Sequence, residues 1–364
     1  MVREERRARV PRWAALASRA LAHASLQIRV IASNTPLNLR EELDRLGNGW
    51  KRGRCELPRF VYEPAVRRPE LRGKLVALGA QLDAEGPLGA VYGDRARELS
   101  DEAALCEHAG SIDLWAAARR RYAHRDVFDA RADVMASSWL DEPERAPAPA
   151  EVPSVRSDDA RDPGSLLCRL EQEIGRRRLP LRVLVSRNIA SLAATGDGFV
   201  QVVAERLVSA RDVERTVLHE IEGHVLPRLA SNRTRLGIFA VGTARGSDDQ
   251  EGRALSMERA AGFLDRGRRR EIALRHIAAR SVEQGADFAA TAELLAERGA
   301  PLSDALRIAA RVHRGGGLGR EAVYLPALLR VEAAVAADQA LDRVLAAGRV
   351  SVDAAPLLRE WIDP

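Results

Sequence analysis

The chain has 364 residues, 46% hydrophobic and 30% charged, enough apolar material for one large or two modest cores. Its 57 basic and 52 acidic residues leave a net charge of +5 and interleave, as in Asp212-Val-Glu-Arg215, so the sequence lacks the basic stripe of a nucleic-acid binder. Three scattered cysteines exclude a disulfide framework, no apolar run is long enough to span a membrane, and the chain reads as a soluble cytoplasmic protein.

Ala, Leu and Arg dominate and aromatics make up only 4%, which makes helix the default expectation. Helical periodicity runs from about Pro11 to Arg29, Leu39 to Leu46, Pro69 to Leu82 and Asp101 to Arg121. The first of these is interrupted by Arg19 and His23, which marks an amphipathic helix rather than a signal peptide. A polar turn, Ser33-Asn-Thr-Pro-Leu-Asn38, and an extended piece, Arg59-Phe-Val-Tyr62, lie between them. Residues 1–140 are thus a mostly helical region, and the Pro-rich stretch 141–164, which has no hydrophobic periodicity, reads as a linker or long loop.

Residues 165–364 read differently. A helix near Ser165–Arg176 leads to an alternating run at Leu181–Ser186 and a second short strand at Gly198–Val203. Ser209 with Asp212 three residues on is an N-cap signal, and Val213, Val217 and Ile221 form an apolar stripe behind it. Gly223 weakens this helix and Pro227 is expected to stop it. Helix after helix follows from Asp249, with breaks expected at Gly267, Gly285, Gly299 and Gly315-Gly-Gly317. The fold class is α+β and predominantly α-helical, with a small β-sheet ahead of the helix that carries the chemistry.

That helix ends in His219-Glu220-Ile-Glu-Gly-His224. Two imidazoles with a carboxylate beside the first are the parts of a hydrolytic zinc site, the histidines as neutral ligands and the glutamate as a base. The spacing is unusual. Five residues on a regular α-helix turn the second side chain about 140° away from the first. The two converge only if the helix widens between them, and a π-type bulge near Gly223 is the expected device. Catalytic zinc takes three protein ligands. Glu251, opening the next helix through Met257 and Phe263, is the best third, which is the gluzincin solution; Glu222 and Glu258 compete. Glu222 fits a surface group, and Glu258 is placed to orient a ligand histidine.

Gln250-Glu251-Gly252-x-Ala254 resembles the QEGLA motif of the microtubule-associated tyrosine carboxypeptidase family, as a bacterial-type member. The six-residue His219–His224 segment matches the same family's metal motif. Further blocks similar to the family follow in order: Asn34-Thr-Pro-Leu-Asn38, Phe60-Val-Tyr62, Gly285-Ala-Asp-Phe288, Arg314-Gly-Gly316 and Val323-Tyr-Leu325. Arg253 and Gly223 depart from its pattern. The resemblance implies a gluzincin-like metallopeptidase with zinc on His219, His224 and Glu251 and with Glu220 as catalytic base. It also implies a carboxypeptidase that acts on the C-terminus of a peptide or protein and releases one residue, aromatic or acidic.

Two further roles are expected. The oxyanion formed on the scissile carbonyl needs a donor, for which Tyr324 is preferred over His313. The substrate's terminal carboxylate calls for a guanidinium, for which Arg314 beside three glycines is chosen. The strand Phe199–Val203 could pair with an extended peptide. An endopeptidase or amidase on the same zinc site, and a non-catalytic zinc-bound regulatory protein, are the rival readings.

Overall fold

The computed structural model describes residues 9–143 and 155–362. Most of these residues are helical. Arg12–Gln27, Leu39–Trp50 and Pro69–Asp83 form helices where the apolar periodicity puts them. The pattern read as one helix from Asp101 to Arg121 divides into Gly86–Glu107 and Leu114–Tyr122. Gly110 makes the break at φ 79°, and a Cβ there would lie 2.9 Å from the Tyr62 ring. Residues 144–154 of the Pro-rich stretch lie outside the described residues. At its end, Val155–Arg156 pairs antiparallel with Leu207–Val208.

The main sheet has three strands. Phe199–Val203 lies in the middle, parallel to Arg182–Ser186 on one side and antiparallel to Ala193–Thr195 on the other. Both edges of Phe199–Val203 are therefore occupied, and it cannot accept a further strand. The two edges are Arg182–Ser186 and the short strand Ala193–Thr195. Sequence reading passed over it because three residues are too few to show a period of two.

Ser209 caps the helix Ala210–Leu218 in a complete capping box, its hydroxyl accepting from Asp212 N while the Asp212 carboxylate accepts from Ser209 N. Val213, Val217 and Ile221 anchor this helix against Leu170, Ile174 and the sheet residues Val200 and Val202. The chain then widens into a π-helix, His219–Val225, and returns to α-helix over Leu226–Ser231. Pro227 does not end the helix. It sits in the first turn of the returning segment, where a missing N–H is tolerated.

Beyond this point Gly285 and Gly299 make turns at φ 89° and 77°, but Gly267 does not break a helix. It lies inside Arg266–Glu283, whose N-cap is Asp265; the preceding helix, Gly246–Ala260, has already ended before Phe263. Helices Gly246–Ala260 and Tyr324–Ala337 pack very closely. A Cβ on Gly252 would lie 2.4 Å from the Ala327 carbonyl, so only glycine permits this approach. The two chain ends share one core, in which Ala14, Ala17 and Leu21 meet Ile238, Phe239, Val344 and Leu358.

Candidate metal centre and its cavity

The π-helix resolves the spacing problem. Its hydrogen bonds close every five residues, so positions five apart share a face. His219 Nε2 and His224 Nε2 come within 3.2 Å, with ring centroids 5.0 Å apart. Gly223 contributes by its size as well as by its weak helix propensity. A Cβ there would stand 2.7 Å from the Ala254 Cβ, so glycine lets the π-helix lie against Gly246–Ala260.

That contact brings in Glu251. Its Oε2 is 3.4 Å from His219 Nε2 and 3.6 Å from His224 Nε2. The three side chains form a group that can hold a metal ion. The start of the Glu251 helix is fixed by the two acids before it. Asp248 pairs with Arg121 at 2.8 Å, and Asp249 accepts from Arg330 Nε and from Val352 N, each at 2.8 Å.

The outward nitrogens of both histidines are committed. His219 Nδ1 lies 2.8 Å from Glu258 Oε1, and Arg268 Nε holds the other oxygen of Glu258 at 2.9 Å. His224 Nδ1 donates to Gln250 Oε1 at 3.1 Å, leaving the Gln250 amide nitrogen buried without a partner. With both protons on Nδ1, two imidazole lone pairs and a carboxylate oxygen face one another. Three acceptors so placed repel unless a cation lies between them. The electrostatics agree. Burial works against charge on His219, yet Glu251 and Glu258 outweigh it and push its pKa up to about 10. His224 shifts upward too, where burial is outweighed chiefly by Glu251. Glu251 is buried but held well below the usual carboxylate range by the two histidines and Arg320.

Glu220 is buried beside this group, and its Oε2 accepts from Thr195 Oγ1 at 2.7 Å. Thr195 ends the edge strand, so the sheet fixes this carboxylate. All these groups line a cavity of about 590 Å³. Glu222 is elsewhere, paired with Arg177 at 2.5 Å.

Tyr324 lines the same cavity. Arg320 Nη1 donates to its hydroxyl at 3.3 Å, Arg320 Nη2 holds Glu251 Oε1 at 3.1 Å, and the Arg275 guanidinium lies 4.5 Å over the ring. His313 is not in the cavity lining. Its Nε2 meets Thr291 Oγ1 at 2.8 Å and its ring packs on Phe288.

Arg314 also lines the cavity, only 6% exposed. The helix that begins at Leu302 breaks at this residue, because Gly315 and Gly316 take φ 71° and 111°. Three distant sequence blocks meet there. A Cβ on Gly315 would collide with Asn34 Oδ1 at 2.0 Å, and Gly315 N donates to Tyr62 Oη at 2.7 Å. No carboxylate among the described residues pairs with Arg314, and its Nε is buried without a partner. Burial and the nearby Arg311 push its pKa down to about 10, so it stays cationic at neutral pH.

A family model described as microtubule-associated tyrosine carboxypeptidase matches residues 50–363. The chain belongs to this family. As a member of the microtubule-associated tyrosine carboxypeptidase family it carries an arrangement that suits carboxypeptidase-like hydrolysis of a protein or peptide. Gly223, Gly252 and Gly315, whose close contacts hold the site together, lie inside the matched region, while Asn34, which Gly315 meets, precedes it. No curated protein matches the chain. No helix among the described residues is long and apolar enough to cross a membrane.

Thr195, Gln250 and Arg320 were not foreseen as parts of the site. Arg320 precedes Tyr324 by one helical turn, but with arginine so abundant its position alone carried no signal. Thr195 is brought in only by the sheet.

Proposed function

We propose that the protein is a zinc-dependent carboxypeptidase of gluzincin-like design that removes one residue from the C-terminus of a peptide or protein. The observation that carries the reading is the convergence of His219, His224 and Glu251 beside the buried Glu220 in a cavity that also contains an unpaired arginine. Donor separations of 3.2, 3.4 and 3.6 Å suit a zinc-sized ion, since ligand bonds of about 2.0–2.1 Å in tetrahedral geometry set donors about 3.4 Å apart. A zinc ion held by these three residues supplies Lewis acidity toward water and the scissile carbonyl.

The remaining steps belong to the chain's own residues. Glu220, oriented by Thr195, takes the proton of the attacking water and delivers it to the leaving amine. The Tyr324 hydroxyl, which accepts from Arg320, keeps its own proton to donate to the oxyanion. Arg314 pairs with the substrate's terminal carboxylate and sets the cleavage point one residue from the end. The edge strand Ala193–Thr195 offers unpaired backbone groups to the peptide. Three free cysteines fit a reducing compartment, and the reading places the enzyme in the cytoplasm.

The test is hydrolysis of matched peptides with free and amidated C-termini. The reading expects cleavage of the free form alone, one residue from the end. Equal cleavage of the amidated peptides would show an endopeptidase or amidase instead.

A further inference from the structure

The two oxygens of Glu251 have different surroundings. Oε2 faces the histidines, 3.4 Å from His219 Nε2 and 3.6 Å from His224 Nε2, while Oε1 accepts from Arg320 Nη2 at 3.1 Å. The same guanidinium reaches a second group, its Nη1 donating to the Tyr324 hydroxyl at 3.3 Å. One side chain thus touches both the ligand carboxylate and the residue assigned to the oxyanion, although it is neither a ligand nor a proton carrier.

The fold fixes Arg320 at this point. The helix from Leu302 breaks at Gly315 and Gly316, and the chain turns again at Gly319, which takes φ 58°. Gly319 N donates to Val312 O at 3.0 Å and Ala322 N to Gly319 O at 3.1 Å, so the short 3-10 helix Arg320–Val323 starts from an anchored residue. Arg320 lines the cavity with only 18% of its side chain exposed. A planar guanidinium presents N–H groups in several directions and can hold a carboxylate oxygen and a hydroxyl at once. An ammonium on a flexible stem has no such fork.

The division of oxygens matters because a carboxylate can give a metal ion one oxygen or two. Three single-atom ligands leave zinc a fourth position for the reacting water. A second oxygen from Glu251 would crowd that position. With Arg320 in place, turning Oε1 inward breaks a charge-assisted bond and strips a buried guanidinium of its carboxylate.

We propose that Arg320 is a positioning residue that limits Glu251 to one ligand oxygen, keeps the fourth position open, and ties the Tyr324 hydroxyl to the same guanidinium. The inference rests on the metal-centre reading for the role of Glu251. It requires that a variant without this guanidinium keep its metal but coordinate it differently, which a merely structural ion pair does not.

The experiment loads the full-length wild type, Arg320→Gln and Arg320→Lys with Co2+, which accepts the same nitrogen and oxygen donors as zinc. Cobalt content, visible spectrum and melting curve are measured beside turnover of a free-C-terminus peptide by the zinc-loaded proteins. Four-coordinate Co2+ absorbs strongly in the visible, and five- or six-coordinate Co2+ weakly. The wild type should show the strong band. Arg320→Gln should bind one cobalt per chain with most of that intensity lost, and its turnover should fall about 10- to 100-fold. Arg320→Lys still offers a charge to Oε1, so it should keep the strong band; Tyr324 is released, and kcat falls with KM nearly unchanged. A weak band in the wild type, or a wild-type spectrum in loaded Arg320→Gln, would overturn the proposal and leave the metal centre standing. Loss of cobalt from a folded Arg320→Gln would make Arg320 a structural support and also overturn it. Should Arg320→Gln not fold, Arg320→Lys decides: the strong band with reduced kcat supports the proposal, and a weak band or full kcat overturns it. If the wild type binds no cobalt and no zinc, the metal-centre reading itself fails.

Discussion

Gly223 and Ala254 meet across the gap between the metal-site π-helix and the helix that carries Glu251, and the space between them is too small for a second methyl group. The distance from the two histidines to the glutamate depends on this contact. Gly223→Ala puts a Cβ 2.7 Å from that of Ala254. We expect a loss of about 1–3 kcal/mol in urea unfolding, together with weaker metal retention. Ala254→Gly introduced with it should recover most of both. Full stability in the single variant would show that the helices separate freely.

Glu258 holds His219 Nδ1 and is itself held by Arg268. Glu258→Gln keeps a hydrogen bond but removes the charge. Metal affinity, measured by competition with a chelator, should fall about 10- to 100-fold. Unchanged affinity would mean that the histidine needs no orienting partner.

Tyr324→Phe removes the hydroxyl that the proposed mechanism assigns to the oxyanion and leaves Arg320 on Glu251. The expected outcome is a fall in kcat of about 10²–10³ with KM and metal content nearly unchanged. A loss confined to KM would assign Tyr324 to substrate binding instead.

His313 gives the acid limb of stability a specific origin. Burial pushes its pKa down to about 4, below the ordinary value of about 6.5. The unfolded chain therefore binds more protons than the folded one between those values, so this contribution is intact above about pH 6.5. It is lost as pH falls toward 4, and the full difference is on the order of 3 kcal/mol. Urea midpoints between pH 7 and 4 should fall less steeply in His313→Gln, which keeps a polar partner for Thr291. Identical slopes would place the acid sensitivity elsewhere.

The sequence made the donors of the site legible, and even the widening of the helix, because residue type and spacing are local properties. A five-residue step between two histidines conflicts with a 3.6-residue turn, and that conflict itself announced the π-helix. What could not be read was which distant segments close around the site. Thr195 reaches Glu220 because Ala193–Thr195 pairs along one side of Phe199–Val203, and strand order is not written in any window of sequence. The mistaken stop at Pro227 has a related cause. Proline ends a regular helix, but here it follows a π-segment, where its missing N–H does no harm. Gly252 and Gly315 carried a motif signal without a reason. Their reason is the backbone of Ala327 and the side chain of Asn34, each more than seventy residues away.

The account rests on three residues holding one metal ion while a fourth moves the proton. Metal content determined together with peptide turnover, for wild type, Glu220→Gln and Glu251→Ala, separates these roles in one experiment. The account predicts one zinc per chain with turnover in the wild type, the same zinc without turnover in Glu220→Gln, and loss of zinc in Glu251→Ala. Full zinc in Glu251→Ala, or wild-type turnover in Glu220→Gln, would contradict it.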